Sequence, residues 1–177
     1  SGGGAPVSME NMKAVPALCK KNKLLCILDC CRVAENAYFI KHREKAYANH
    51  SYRQIAQQMF ALADGAIMSA KKDALVNMGG FLAVADKKLA DACMNLLIIT
   101  EGFSTYGGLS GRDMEAIAVG LKEVFDDDYL NYRIKSTAYL GDRIKQHGVP
   151  ILYPIGGHAV YVDKKKLYPQ IPVHEYP

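Results

Sequence analysis

The chain has 177 residues, half of them hydrophobic and 23% charged, with a formal net charge of +4. That length and balance suit a single globular domain over residues 1–177 with a real core, and they exclude a disordered or fibrous chain. The basic clusters, Lys20-Lys21 with Lys23 and Lys164-Lys165-Lys166, carry little aromatic interleaving, so they read as solvated faces and no nucleic-acid partner is expected. No apolar stretch reaches membrane-span length and no signal peptide is visible, so no membrane partner is expected either. Five cysteines, Cys19, Cys26, Cys30, Cys31 and Cys93, sit mostly in apolar runs. Their odd number and setting argue for reduced thiols and a cytoplasmic protein. Cys26-x-x-x-Cys30-Cys31 is not a usual zinc spacing.

In chain order, Ser8 is placed to cap a helix over 9–22, which Pro16 should kink or split. The apolar run 24–28, ending at Asp29, suits a buried parallel strand. Residues 35–47 are charged and helical. Ser51-Tyr52-Arg53-Gln54 is a capping box opening a helix that carries Ile55, Met59, Phe60 and Leu62 towards a core. Strands follow at 66–69 and 80–85, then a helix at 86–99. A glycine-rich loop, Thr105-Tyr106-Gly107-Gly108-Leu109-Ser110-Gly111, precedes helices at 112–124 and 128–147. Two short strands, 149–153 and 158–162, flank the turn Pro154-Ile155-Gly156-Gly157, and the proline-rich tail from 169 is irregular. Strands alternating with helices define an α/β class with a mostly parallel sheet flanked by helices.

In such sheets ligands bind beyond the carboxyl ends of the strands. Two of those ends carry chemistry: Asp29 with Arg32, and Ser69 with Lys71 and Lys72. If the strands are neighbours, an acid, a hydroxyl and an amine converge on one crevice. A lysine leaving a buried strand is biased towards its neutral form, which is a nucleophile towards carbonyls. With an aspartate it forms the protein half of a pyridoxal phosphate site, the lysine holding the aldehyde and the carboxylate keeping the pyridine nitrogen protonated. Ser69 can donate to the phosphate. From these residues alone a solvated two-lysine turn, and an aspartate that only caps the next turn, remain open. Cys30 and Cys31 read as small apolar fillers beside Asp29. Neither a P-loop nor a G-x-G-x-x-G fingerprint follows a strand, which argues against a nucleotide-binding domain.

Longer motifs go further. They are Gly3-Gly4-Ala5-Pro6-Val7-Ser8-Met9, then Asp29-Cys30-Cys31-Arg32 with Glu35-Asn36-Ala37-Tyr38-Phe39-Ile40, and the segment from Met68 to Gly80. Glu101-Gly102-Phe103-Ser104-Thr105-Tyr106-Gly107-Gly108-Leu109 continues into Gly111-Arg112-Asp113-Met114-Glu115, and Gly156-Gly157-His158-Ala159 precedes a strand. Together they resemble the central part of the tryptophanase and tyrosine phenol-lyase family, pyridoxal phosphate-dependent β-eliminating lyases of the aspartate-aminotransferase fold (fold type I).

The resemblance implies that Lys72 forms the Schiff base with the cofactor and removes the substrate α-proton, while its neighbour Lys71 tunes the site. It implies that Asp29 pairs with the pyridine nitrogen, that Arg32 sits near the cofactor's phenolic oxygen and that Ser69 contacts the phosphate. The backbone carbonyl of Asn77 would help bind an activating monovalent cation, potassium. His158 is expected to be structural in preference to a catalytic base, and Tyr106 to lie near the site or a subunit interface. The implied substrate is an aromatic amino acid and the implied assembly a homotetramer. Gln170-Ile171-Pro172 favours tryptophanase, which releases indole, pyruvate and ammonia, over tyrosine phenol-lyase, which releases phenol. Family members carry a further N-terminal part and a small C-terminal domain that hold other cofactor and substrate contacts. The chain is therefore expected to be a core segment, and a non-catalytic remnant acting as a binding module is the competing reading.

Overall fold

A computed structural model describes residues 4–103 and 108–175. Thr105, Tyr106 and Gly107 of the glycine-rich loop, together with Gly3 of the first motif, lie outside the described residues. The chain divides into two compact units, one spanning Val7–Asp126 and the other joining the residues up to Pro6 with those from Asp127 onward.

The first unit holds a three-stranded sheet, β1 (Ile27–Asp29), β2 (Gly65–Ser69) and β3 (Gly80–Val84), in that order. β1 and β2 are parallel, with Asp29 beside Ile67, and β3 is antiparallel to β2, with Ser69 beside Gly80. The sheet is thus mixed. A parallel return needs a crossover of a dozen or more residues, usually a helix, and the β2–β3 connection has none. It turns back directly, closed by a hydrogen bond from Ala70 N to Gly79 O at 2.9 Å.

Helix α1 (Met9–Lys21) is capped by Ser8, whose Oγ accepts from Asn11 N at 3.2 Å. Pro16 lies inside this helix without splitting it. The expected strand at 24–28 begins later, at Ile27, and Leu24 and Leu25 are exposed. The reason lies in the helix end. Lys23 adopts the left-handed conformation (φ 56°), Lys23 N bonds Lys20 O and Leu24 N bonds Cys19 O, which closes a Schellman motif and takes Leu24 out of the sheet. Nor is β1 buried as expected. Ile27, Ile67 and Leu82, which share one face of the sheet, remain 40%, 49% and 47% exposed.

Helices α2 (Val33–Arg43) and α3 (Tyr52–Phe60) pack together and form the core, with Ala34, Ala37, Phe39, Ile40, Ile55 and Met59 buried. The capping box at Ser51 is complete, with Gln54 N donating to Ser51 Oγ and Ser51 N to Gln54 Oε1. Asn36 on α2 pins the segment before α1 from both sides, accepting from Val7 N at 2.7 Å and donating to Val7 O at 2.9 Å. This links the first two sequence motifs physically. Helices α4 (Lys87–Glu101) and α5 (Gly111–Glu123) complete the unit.

The second unit contains α6 (Asp127–Gln146) and the short α7 (Lys164–Leu167). The two strands expected around Pro154 reduce to an antiparallel bridge between Ile151 and Val162. Pro150 and Pro154 lack the N–H donors a longer ladder would use. His158 is half-buried, with its ring against Gly4 and Nε2 at 3.3 Å from the Tyr161 hydroxyl. Both partners belong to this unit, in keeping with a structural role.

Candidate active site

Strand register brings the candidate residues together. Asp29 ends β1 and Ser69 ends β2. Because Asp29 pairs with Ile67, the two lie on the same face of the sheet, two residues apart along β2. Lys72 follows in the loop after β2, and its Nζ donates to Ser69 Oγ at 3.2 Å. Hydrogen bonds from Cys31, followed by the charges of Lys72 and Arg32, hold the Asp29 carboxyl below its ordinary value. The acid, the hydroxyl and the amine therefore converge, as expected if the strands were neighbours. Asp29 also caps the turn after β1, since its Oδ1 accepts from Cys31 N at 3.0 Å.

The remaining candidates sit differently. Arg32 immediately precedes α2, and its Nε is buried with no hydrogen-bond partner among the described residues. The Glu35 carboxylate lies 3.9 Å from it. Lys71 points to an exposed position, unlike half-buried Lys72. Asn77 is exposed on the return towards β3.

Two contributors carried no clear signal in the sequence. Asp73, next to Lys72, is fully buried. Its Oδ2 accepts from Ala34 N at 2.7 Å and from Glu35 N at 3.4 Å, in the first turn of α2. Arg32, the residue at the cap position, makes no side-chain cap, so Asp73 supplies one from a distant loop, where the helix dipole favours a negative charge. The second is Cys31. The sequence alone makes it a small apolar filler, yet its Sγ accepts from Ser69 N at 3.0 Å and its carbonyl accepts from Asp73 N at 3.2 Å. Cys30 does pack as expected. It is buried, its Sγ reaches Ile67 O at 3.2 Å, and burial pushes its thiol up to about 11.

The lysine loop is held tightly. Leu75 takes a left-handed conformation (φ 57°), and Leu75 N bonds Lys72 O at 3.0 Å. Helix α5 lies against this loop at Gly120, where an added Cβ would run into the Ala74 carbonyl oxygen. Backbone cannot yield there as a flexible side chain could, so Gly120→Ala is expected to cost about 2 kcal/mol. Chemical denaturation would measure it, and a loss under about 0.5 kcal/mol would show that the helix simply stands off.

The donor set suits an anionic aldehyde bearing a basic ring nitrogen. Lys72 offers an amine, Asp29 a carboxylate, Ser69 a hydroxyl and Arg32 an unsatisfied buried N–H. These residues fit pyridoxal phosphate.

Comparison with known proteins defines the class first. The fold is α/β of the pyridoxal phosphate fold type I. A solved structure from Exiguobacterium sp. 255-15, named as a candidate aromatic amino acid beta-eliminating lyase/threonine aldolase, superposes with a TM-score of 0.62 over 88% of this chain and 39% of its own, at 17% identity. A family profile for beta-eliminating lyases matches residues 1–168, and the chain belongs to that family. It is 57% identical to a tryptophanase of Salinibacter ruber over 100% of this chain. It is also 49% identical to a tyrosine phenol-lyase of Fusobacterium nucleatum over 99% of this chain. In both cases the chain spans 38% of the relative's length. No helix among the described residues is long and apolar enough to cross a membrane.

Proposed function

We propose that this chain carries the cofactor-anchoring core of a pyridoxal phosphate-dependent lyase that removes the aromatic side chain of an amino acid by β-elimination, and that both compact units form parts of one large domain. The observation behind this reading is the Lys72–Ser69 contact at 3.2 Å beside Asp29 on the neighbouring strand. When bound, the cofactor supplies an electron sink for the carbanion formed at the substrate α-carbon.

The residues of this chain then divide the work. Lys72 anchors the cofactor aldehyde and, once released by the substrate amine, accepts the α-proton at Nζ. Asp29, already ionised below the ordinary carboxylate range, holds a proton on the ring nitrogen across a charge-assisted hydrogen bond. Ser69 donates to the phosphate and Arg32 Nε to an oxygen of the cofactor. Lys71 adds positive charge beside the site, and the Asn77 carbonyl contributes to a potassium site. Tryptophan is the substrate favoured over tyrosine, on the Gln170-Ile171-Pro172 segment and the 57% identity to a tryptophanase. The working form is a cytoplasmic homotetramer.

The test is a titration of the native protein with pyridoxal phosphate. A visible absorption band should appear, and borohydride should fix the cofactor to Lys72 in the corresponding peptide. Pyruvate and indole should follow when tryptophan is added. No band at saturating cofactor would sink the reading, whereas a band without pyruvate from either tryptophan or tyrosine would favour a non-catalytic remnant.

A further inference from the structure

Among the described residues, Glu35 and Asp73 are the buried acids, and both meet at the first turn of α2. Asp73 is explained by the hydrogen bonds it accepts from Ala34 N and Glu35 N. The Glu35 carboxylate calls for a separate reason. Its side chain is 5% exposed, and its Oε1 lies 3.9 Å from Arg32 Nε. Taking a carboxylate out of water is costly unless partners compensate it, and a buried ion pair is weak evidence of stabilisation. Nor does the helix benefit from Arg32, whose positive charge stands at the N-cap of α2, where the dipole favours an anion.

The distance between the two groups is informative. At 3.9 Å the contact is electrostatic and too long for a hydrogen bond. It leaves the Arg32 Nε–H unused, and that atom is buried with no hydrogen-bond partner among the described residues. A buried donor left open is unfavourable, and such exceptions point to a group that binds later. The turn that carries the pair is itself tied down. Asp73, next in the chain to Lys72, accepts from Glu35 N at 3.4 Å, so the lysine loop holds the backbone on which Glu35 and Arg32 are spaced.

We infer that Glu35 is a positioning residue for Arg32, its buried carboxylate fixing the guanidinium by charge while leaving the Nε–H for an oxygen of the bound cofactor. This inference rests on the pyridoxal phosphate reading above, in which Arg32 Nε donates to that oxygen. A closer carboxylate would take the donor for itself. Without any carboxylate the long arginine side chain, already 35% exposed, would be free to swing towards water. Arginine has many rotamers to lose, and a donor oriented beforehand spares the bound state that ordering.

The experiment is a double-mutant cycle read by absorption titration with pyridoxal phosphate, using the native protein, Glu35→Gln, Arg32→Ala and the double variant. Glutamine keeps the volume of Glu35 and removes its charge. Glu35→Gln should weaken binding about tenfold, whereas the same change made on top of Arg32→Ala should alter affinity by less than about twofold. Arg32→Lys keeps the charge but has no donor at the Nε position, so it should bind within about threefold of Arg32→Ala. Native affinity in Glu35→Gln would overturn this inference alone. An equal loss with and without Arg32 would assign Glu35 to packing and overturn it too. Should Glu35→Gln fail to fold, Arg32→Lys decides with Glu35 in place, and native affinity there would show that charge suffices without a positioned donor. Absence of binding in the unsubstituted protein would overturn the cofactor reading and this inference together.

Discussion

Lys72→Ala is expected to abolish the visible cofactor band and to lower pyruvate release by about 10²–10⁴-fold, the range for losing a positioned acid–base group. Lys71→Ala should keep the band and a measurable fraction of turnover. The two lysines are adjacent, yet their surroundings differ. Lys72 is half-buried, 3.2 Å from Ser69 Oγ and near enough to Asp29 for its charge to act on that carboxyl. Lys71 faces solvent on the outside of the same turn. An amine facing solvent has no partner to orient it, whereas an amine held against a hydroxyl beside a carboxylate is positioned for attack. Absorption spectra of the two variants decide the matter, and retention of the band in Lys72→Ala would reverse the assignment.

Asp73→Ala should lower stability by about 3 kcal/mol, read from urea or guanidinium unfolding. The substitution removes an acceptor that is fully buried and strands the N–H groups of Ala34 and Glu35 at the start of α2. Each unsatisfied buried donor costs about 1–3 kcal/mol. Asp73→Asn keeps one acceptor oxygen and the volume but loses the charge at the helix terminus, so about 1 kcal/mol is expected. The consequence also reaches the chemistry. Asp73 ties the lysine loop to the helix that follows Asp29 and Arg32, so the alanine variant should bind cofactor more weakly even where it remains folded. A stability loss below about 1 kcal/mol in Asp73→Ala would show that the Ala34 and Glu35 donors find other acceptors.

Much of this arrangement was legible in the sequence because its signals are local. Ser8, Ser51 with Gln54, and Asp86 each stand where a helix begins, and each side chain accepts from the helix it opens. The pairing of an acid and an amine at two strand ends followed from counting elements. What stayed hidden depends on contacts distant along the chain. Asp73 carries no local signal because its partners lie 38 and 39 positions away. Cys31 looked like a filler because nothing local reveals the Ser69 N–H above it. Leu24 and Leu25 were assigned to a strand on hydropathy, whereas the left-handed turn at Lys23 commits Leu24 to closing α1. The site motifs were visible as letters, and the bonds joining them required the fold.

The parallel pairing of β1 with β2 acts as a ruler for the chemistry. Side chains alternate across a strand, so the face that Asp29 occupies depends on parity as well as position. Adding or deleting one residue within Ile27–Asp29 would turn the carboxylate towards the face where Ala66 and Met68 are buried, away from Ser69. A side-chain substitution at Ile27 leaves that parity intact. In this part of the molecule, length is therefore under tighter constraint than residue identity, and single-residue insertions should be far less tolerated in β1 than exchanges among apolar residues.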